Sequence, residues 1–195
     1  MDWTDDPIAA AEELAAIFES LGVRYLLGGS MAAAVWGEPR FMRDVDLVVD
    51  LAERHVAALL SALGERWYVD EKLTREAIAQ RTSFNLIRFT RMVKVDVFVP
   101  PASGLHESKS GRGRRASLSH GTNRSLVVTS PEDIVLQKLD WFQRGNEVSE
   151  QQWRDVVPVL RTVGTELDGA YLRTWADEMG LELLLERARL EAGLQ

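Results

Sequence analysis

Two apolar runs in this chain carry carboxylates where a strand needs side chains it can bury. The first reads Asp44-Val45-Asp46-Leu47-Val48-Val49 and the second Val93-Lys94-Val95-Asp96-Val97-Phe98-Val99. Their aliphatic, β-branched character predicts strands, and residues two apart on a strand point to one face. Asp44 and Asp46 therefore share a face. In the second run Lys94 and Asp96 lie on one side, with Val93, Val95, Val97 and Val99 on the other. An ionised carboxylate in such surroundings is costly to bury unless a positive group pairs with it. Two parallel carboxylates facing a third from a neighbouring strand make an oxygen-rich pocket, which suits Mg²⁺ or Mn²⁺ rather than softer metals. A lone acid on a half-covered sheet is most simply solvent-facing, and the company of two others is what gives Asp96 weight.

Upstream, the apolar segment Tyr25-Leu26-Leu27 runs into Gly28-Gly29-Ser30 and then into Met31-Ala32-Ala33-Ala34-Val35-Trp36, whose alanines favour a helix. Glycines at a strand-to-helix turn let the backbone approach a ligand, and amides at a helix start attract phosphate. Ser30 falls at the expected N-cap, where its hydroxyl either caps the helix or reaches a phosphate oxygen. A Gly-Gly pair alone signals only a turn. The order strand, Gly-Gly-Ser, helix, then Asp-x-Asp on a strand is far more specific.

That order resembles the minimal nucleotidyltransferases of the polymerase-beta superfamily, in particular their toxin-type, AbiEii-like group. The matching residues are Gly28-Gly29-Ser30-Met31-Ala32 and Gly37-Glu38-Pro39-Arg40-Phe41-Met42-Arg43-Asp44-Val45-Asp46. Downstream, Ser130-Pro131-Glu132-Asp133-Ile134-Val135-Leu136-Gln137-Lys138-Leu139 and Gln152-Trp153-Arg154-Asp155-Val156-Val157 are similar to two helices of the same group. The chain departs from the pattern at Met42, where a hydroxyl residue is usual, and at Pro158, where a second acid would fall.

The resemblance implies a metal-dependent enzyme that moves a nucleoside monophosphate from a nucleoside triphosphate to an acceptor hydroxyl on RNA, protein or a small molecule. Asp44 and Asp46 would hold the metal that bridges the phosphates, and Asp96 would either help a second metal or act as base. Gly28, Gly29 and Ser30 would bind the phosphate chain. Lys138 would contact the triphosphate, and Asp155 would orient it or the acceptor. Arg40 and Arg43 flank the acids, and one of them neutralises phosphate or pairs with a carboxylate. A cognate antitoxin is the implied protein partner. Two other readings use the same residues: a catalytically weak relative that binds nucleotide or a partner, and a metal-dependent phosphohydrolase.

Composition narrows the field. The 195 residues are 46% hydrophobic and 27% charged, ordinary for a globular chain of one domain or one with a helical appendage. No apolar run reaches the ~18 residues of a membrane span. Met1-Asp2-Trp3-Thr4-Asp5-Asp6 is acidic where a signal peptide is basic, so a cytoplasmic protein is expected. The absence of cysteine removes disulfides, thiolate zinc sites and thiol nucleophiles, and His55, His106 and His120 have no metal-binding spacing. No P-loop motif occurs. A net charge of −7 argues against a general nucleic-acid coat. Against it, the segment 109–124 carries Lys109, Arg112, Arg114, Arg115 and Arg124. It reads either as a solvated loop or twisted hairpin, or as an arm guiding triphosphate or an RNA backbone.

Periodicity predicts an α/β (α+β) chain: a small mixed sheet with flanking helices, then a C-terminal helical subdomain. Helices are expected over 7–20, 31–36, 52–63 and 74–81, and strands over 23–27, 45–49, 67–69, 83–90 and 93–99. After Pro131 four helices follow, over 132–144, 149–163, 168–179 and 181–192, with Gly145, Gly164, Gly180 and Gly193 as breaks. The sheet domain is set at 1–128 and the helical one, packed on it, at 129–195. Trp141 and Trp153 are placed in the helical core.

Overall fold

The strands form where β-branched alternation is strongest, and the computed structural model, which describes residues 5–40, 42–101, 111–118 and 125–194, joins them into one seven-stranded sheet. The strands are β1 (Tyr25–Leu27), β2 (Val45–Val49), β3 (Trp67–Tyr68), β4 (Ser83–Arg88), β5 (Val93–Phe98), β6 (Arg114–Ala116) and β7 (Leu126–Val128). Their order is β3-β4-β5-β2-β1-β7-β6, parallel at β2/β5 and β1/β7 and antiparallel elsewhere. The fold is thus mixed α/β, as the periodicity predicts.

One face of the central strands is closed. Val45, Leu47, Val49, Val95 and Val97 are all fully buried. Helix α1 (Asp5–Ser20) lies against β2 and β5, burying Leu14 and Phe18, and α3 (Val56–Leu63) lies against α1. The alternate residues Asp46, Val48 and Asp96 are only half-buried and Lys94 is exposed. This is the pattern of an antiparallel-type sheet with one covered face and one polar face.

Helix boundaries follow local capping chemistry. Helix α2 (Gly29–Trp36) starts two residues earlier than expected, because Gly29 with φ +59 turns the chain directly into it. Ser30 therefore lies inside the first turn and is not the N-cap. Helix α4 (Glu71–Gln80) also starts early: the Asp70 carboxylate accepts the Leu73 amide at 2.9 Å and fixes its first turn. The expected helix over 52–63 begins as a 3-10 turn, Glu53–His55, before α3.

The helical region contains α5 (Pro131–Arg144), α6 (Glu150–Val163), α7 (Gly169–Met179) and α8 (Glu182–Ala192), with α6 packed on both α5 and α8. Pro158 sits within α6. Leu136, Leu139, Val156, Val159, Leu160, Leu172 and Ala188 form its core. Trp141 and Trp153 do not join it and are half-buried at its edge. An indole N–H needs a partner, and that of Trp153 donates to Glu191 Oε2 at 2.9 Å while Phe142 and Arg187 cover the ring. Trp141 lies beneath the Lys138 ammonium, 5.4 Å from the ring centre.

The chain divides into two compact units, 1–31 with 41–128, and 32–40 with 129–195. The second break follows Val128, but residues 32–40 group with the helices. No helix of the described residues is long and apolar enough to cross a membrane.

Candidate active site

The polar face of the sheet carries a straight row of functional groups. Asp46 on β2 stands beside Asp96 on β5 in parallel register, and Asp96 faces Asn85 on β4. On the other side of Asp46 the Gly28 amide donates to the Asp46 carbonyl oxygen at 2.8 Å, extending the β1/β2 ladder by one residue. Register thus brings Gly28, Asp46, Asp96 and Asn85 into line across four neighbouring strands. Asp44 precedes β2 instead of lying on it and is exposed.

Gly29 is shaped by Asp46. A Cβ at Gly29 would collide with Asp46 Oδ2 and would lie 2.7 Å from Cγ and 2.9 Å from Cβ of the same side chain. The positive φ and this contact both demand glycine. The Asp46 carboxylate accordingly rests against the first turn of α2, and Gly28 and Gly29 are buried while Ser30 is half-buried. The oxygen-only donors fit a hard divalent cation, and the Cβ-free position at Gly29 leaves Asp46 its place beside the helix start. Among the described residues no group of three His, Cys, Asp or Glu side chains comes together as a metal site.

The Lys94 ammonium lies 2.8 Å from Asp96 Oδ1 and donates to Oδ2 at 3.0 Å. The hydrogen bond to Asp96 raises the Lys94 pKa above the ordinary lysine value, against slight desolvation and with the charges of Asp96, Asp44 and Asp46 adding to it. All three acids therefore act on one ammonium.

Arg40, Lys138 and Asp155 form a cluster of their own in the helical unit. Asp155, on α6, is buried, and its Oδ1 accepts from Arg40 Nη2 at 2.9 Å and from Nε at 3.2 Å. Its Oδ2 lies 2.8 Å from Lys138 Nζ. Lys138, expected to contact the triphosphate, is only 1% exposed and lies in an enclosed ion pair with Asp155. A buried carboxylate with two cations is compensated where one with none would not be. Arg40 is the outward-reaching member, its side chain 39% exposed.

Of the basic segment, Arg114 and Arg115 lie on β6, paired with Val128 and Val127 of β7, which is the hairpin reading. Arg115 is engaged within the unit, donating to Glu19 Oε1 and to the Ser125 carbonyl, each at 3.1 Å. Lys109 and Arg124 lie outside the described residues.

Sequence reasoning missed Asn85, Lys94 as a partner of Asp96, and the buried acids of α5. Asp133 accepts from the Ser130 and Tyr171 hydroxyls, each at 2.7 Å, and Glu132 accepts the Asp168 amide at 3.0 Å. The Ser-x-x-Asp spacing of a capping box signalled the Ser130 contact alone.

No family model matches the chain, and no curated protein matches it. Solved structures do. The solution structure of the antibiotic-resistance factor ANT(2'')-Ia is 14% identical over 96% of this chain and 98% of its own, with a TM-score of 0.56. The crystal structure of ANT(2'')-Ia in complex with adenylyl-2''-tobramycin is 14% identical over 92% and 99%, with a TM-score of 0.58. An antigenic nucleotidyltransferase-like protein from Paracoccidioides brasiliensis is 18% identical over 95% and 92%, with a TM-score of 0.51. At these identities the likeness is one of fold. It reaches the nucleotidyltransferase fold and not the toxin-type group.

Proposed function

We propose that the protein is a nucleotidyltransferase that moves a nucleoside monophosphate from a nucleoside triphosphate to an acceptor hydroxyl, with Mg²⁺ or Mn²⁺ held by Asp44 and Asp46. The observation that carries this reading is the register of Asp46 beside Asp96, with the Asp46 carboxylate seated on Gly29 at the start of α2. The fold likeness supports it.

The residues divide the work as follows. The turn at Gly28 and Gly29 lets the phosphate chain approach the backbone amides, and Ser30 adds a hydroxyl to the first turn. A divalent ion at Asp44 and Asp46 supplies the charge that neutralises the phosphates. The acceptor oxygen attacks the α-phosphorus in line, forming the new P–O bond as the bond to the bridging oxygen breaks and pyrophosphate leaves. Asp96, beside Asp46, accepts the hydrogen bond of the attacking hydroxyl and takes its proton on Oδ. Arg40, Lys138 and Asp155 are assigned a positioning role: Asp155 ties the segment ending at Arg40 to α5 and α6 within the helical unit.

Among RNA, protein and small-molecule acceptors we place a hydroxyl-bearing small molecule first, since the similar ANT(2'')-Ia structure holds adenylyl-2''-tobramycin. Nothing comparable supports an antitoxin partner or a toxin role.

The test is calorimetry of the four ribonucleoside triphosphates with and without Mg²⁺, on the wild type and on Asp46→Asn. Mg²⁺-dependent binding of at least one triphosphate, lost in Asp46→Asn while the circular-dichroism spectrum is kept, is the expected result. Triphosphate turnover with no acceptor present would favour the phosphohydrolase reading, and no binding by any of the four would overturn the assignment.

A further inference from the structure

We propose that Lys94 is a built-in cation of this site, so that the carboxylate row takes one divalent ion from solution, at Asp44 and Asp46, and not a second at Asp96. The inference rests on the nucleotidyltransferase reading and deepens it. Lys94 and Asp96 sit two apart on β5, on the same face, and the ammonium reaches both oxygens of the carboxylate at 2.8 and 3.0 Å. Those oxygens are the ones a second ion would need. A Mg²⁺ ion binding either oxygen at about 2.0–2.1 Å would stand beside a positive charge that is already in contact with both, and the repulsion between the two cations disfavours it, whereas a neutral hydroxyl donating to the same oxygens meets no such cost.

Lys94 is a point charge attached to the same strand as its partner, so no loop has to be ordered to bring the two together. Asp96 is then left to meet the acceptor hydroxyl.

The number of bound ions reads this directly, without activity. Mn²⁺ binding to the nucleotide-free protein is counted by electron paramagnetic resonance for the wild type, Lys94→Met, Lys94→Arg, Asp46→Asn and the double variant Lys94→Met/Asp96→Asn. The expected counts are one ion in the wild type and in Lys94→Arg, which keeps the charge, and two in Lys94→Met, returning to one in the double variant. Two ions in the wild type, or one ion in Lys94→Met with its fold intact, would overturn the Lys94 assignment and leave the nucleotidyltransferase reading standing. A single wild-type ion that survives Asp46→Asn, or no ion at all, would instead overturn the Asp44–Asp46 metal site beneath both.

Discussion

Gly29 is the residue at which backbone conformation and site chemistry meet. Its φ of +59 and the Asp46 side chain in the space a Cβ would take both exclude any other residue. Gly29→Ala is expected to cost about 1–2 kcal/mol from the left-handed backbone alone. It should also push Asp46 off the helix start and weaken triphosphate binding at least about tenfold, or about 1.4 kcal/mol. Urea unfolding and calorimetry on the same variant separate the two effects. Asp155 poses the opposite case, a charge whose surroundings are the point. Asp155→Asn leaves the enclosed Lys138 without its counter-charge and is expected to cost about 3–5 kcal/mol by denaturant unfolding. The double variant Lys138→Met/Asp155→Leu removes both buried charges and should recover most of that loss, since Arg40 is partly exposed and is solvated in its absence.

At the scale of elements, the strand β1 ties the sheet together through Tyr25 as well as through its ladders. The Tyr25 hydroxyl donates to Glu19 Oε1 at 3.2 Å and accepts the Val127 amide at 3.2 Å, linking α1, β1 and β7. Burial pushes the phenol above its ordinary value; the Val127 hydrogen bond works against this and the Glu19 charge with it. A raised value means the folded state favours the neutral phenol. Its contribution is complete below the ordinary value of 10.0 and is lost as pH rises through the folded one. Spectrophotometric titration should therefore show a phenol ionising late, absent in Tyr25→Phe, and the variant should lose less stability above about pH 10 than the wild type does. Element type was legible in the chain because periodicity is local: β2 appears at the expected residues, and the four C-terminal helices start and stop within one residue of expectation. Starts set by side-chain capping or a single positive φ, as at Asp70 and Gly29, were displaced by two or three residues, because one contact decides them.

For the whole molecule the division into units matters most. The helical unit is not a continuous segment, since residues 32–40 belong to it. Within it Gly37 sits where a Cβ would lie 3.0 Å from the Val159 amide and 3.1 Å from Pro158 Cβ, and Arg40 completes the Asp155 cluster. The Trp36 indole donates to the Thr129 carbonyl at 2.7 Å. The isolated segment 129–195 lacks all three contacts and is expected to melt non-cooperatively or at a lower temperature than the same segment supplied with residues 32–40 through a flexible linker, as circular dichroism would show. From its residues alone the chain determined its α/β class, the order strand, Gly-Gly-Ser, helix, Asp-x-Asp, and the faces of β2 and β5 on which Asp46 and Asp96 lie, because these depend on neighbours a few positions apart, whereas Asp44 falls just before β2 and not on it. Only the tertiary structure decided that Asp96 stands beside Asp46, that Lys94 is its partner, that Lys138 and Arg40 share Asp155, and that Gly37 is needed for close approach. Strand register and the pairing of buried charges depend on which distant segments meet, and no local pattern encodes that choice.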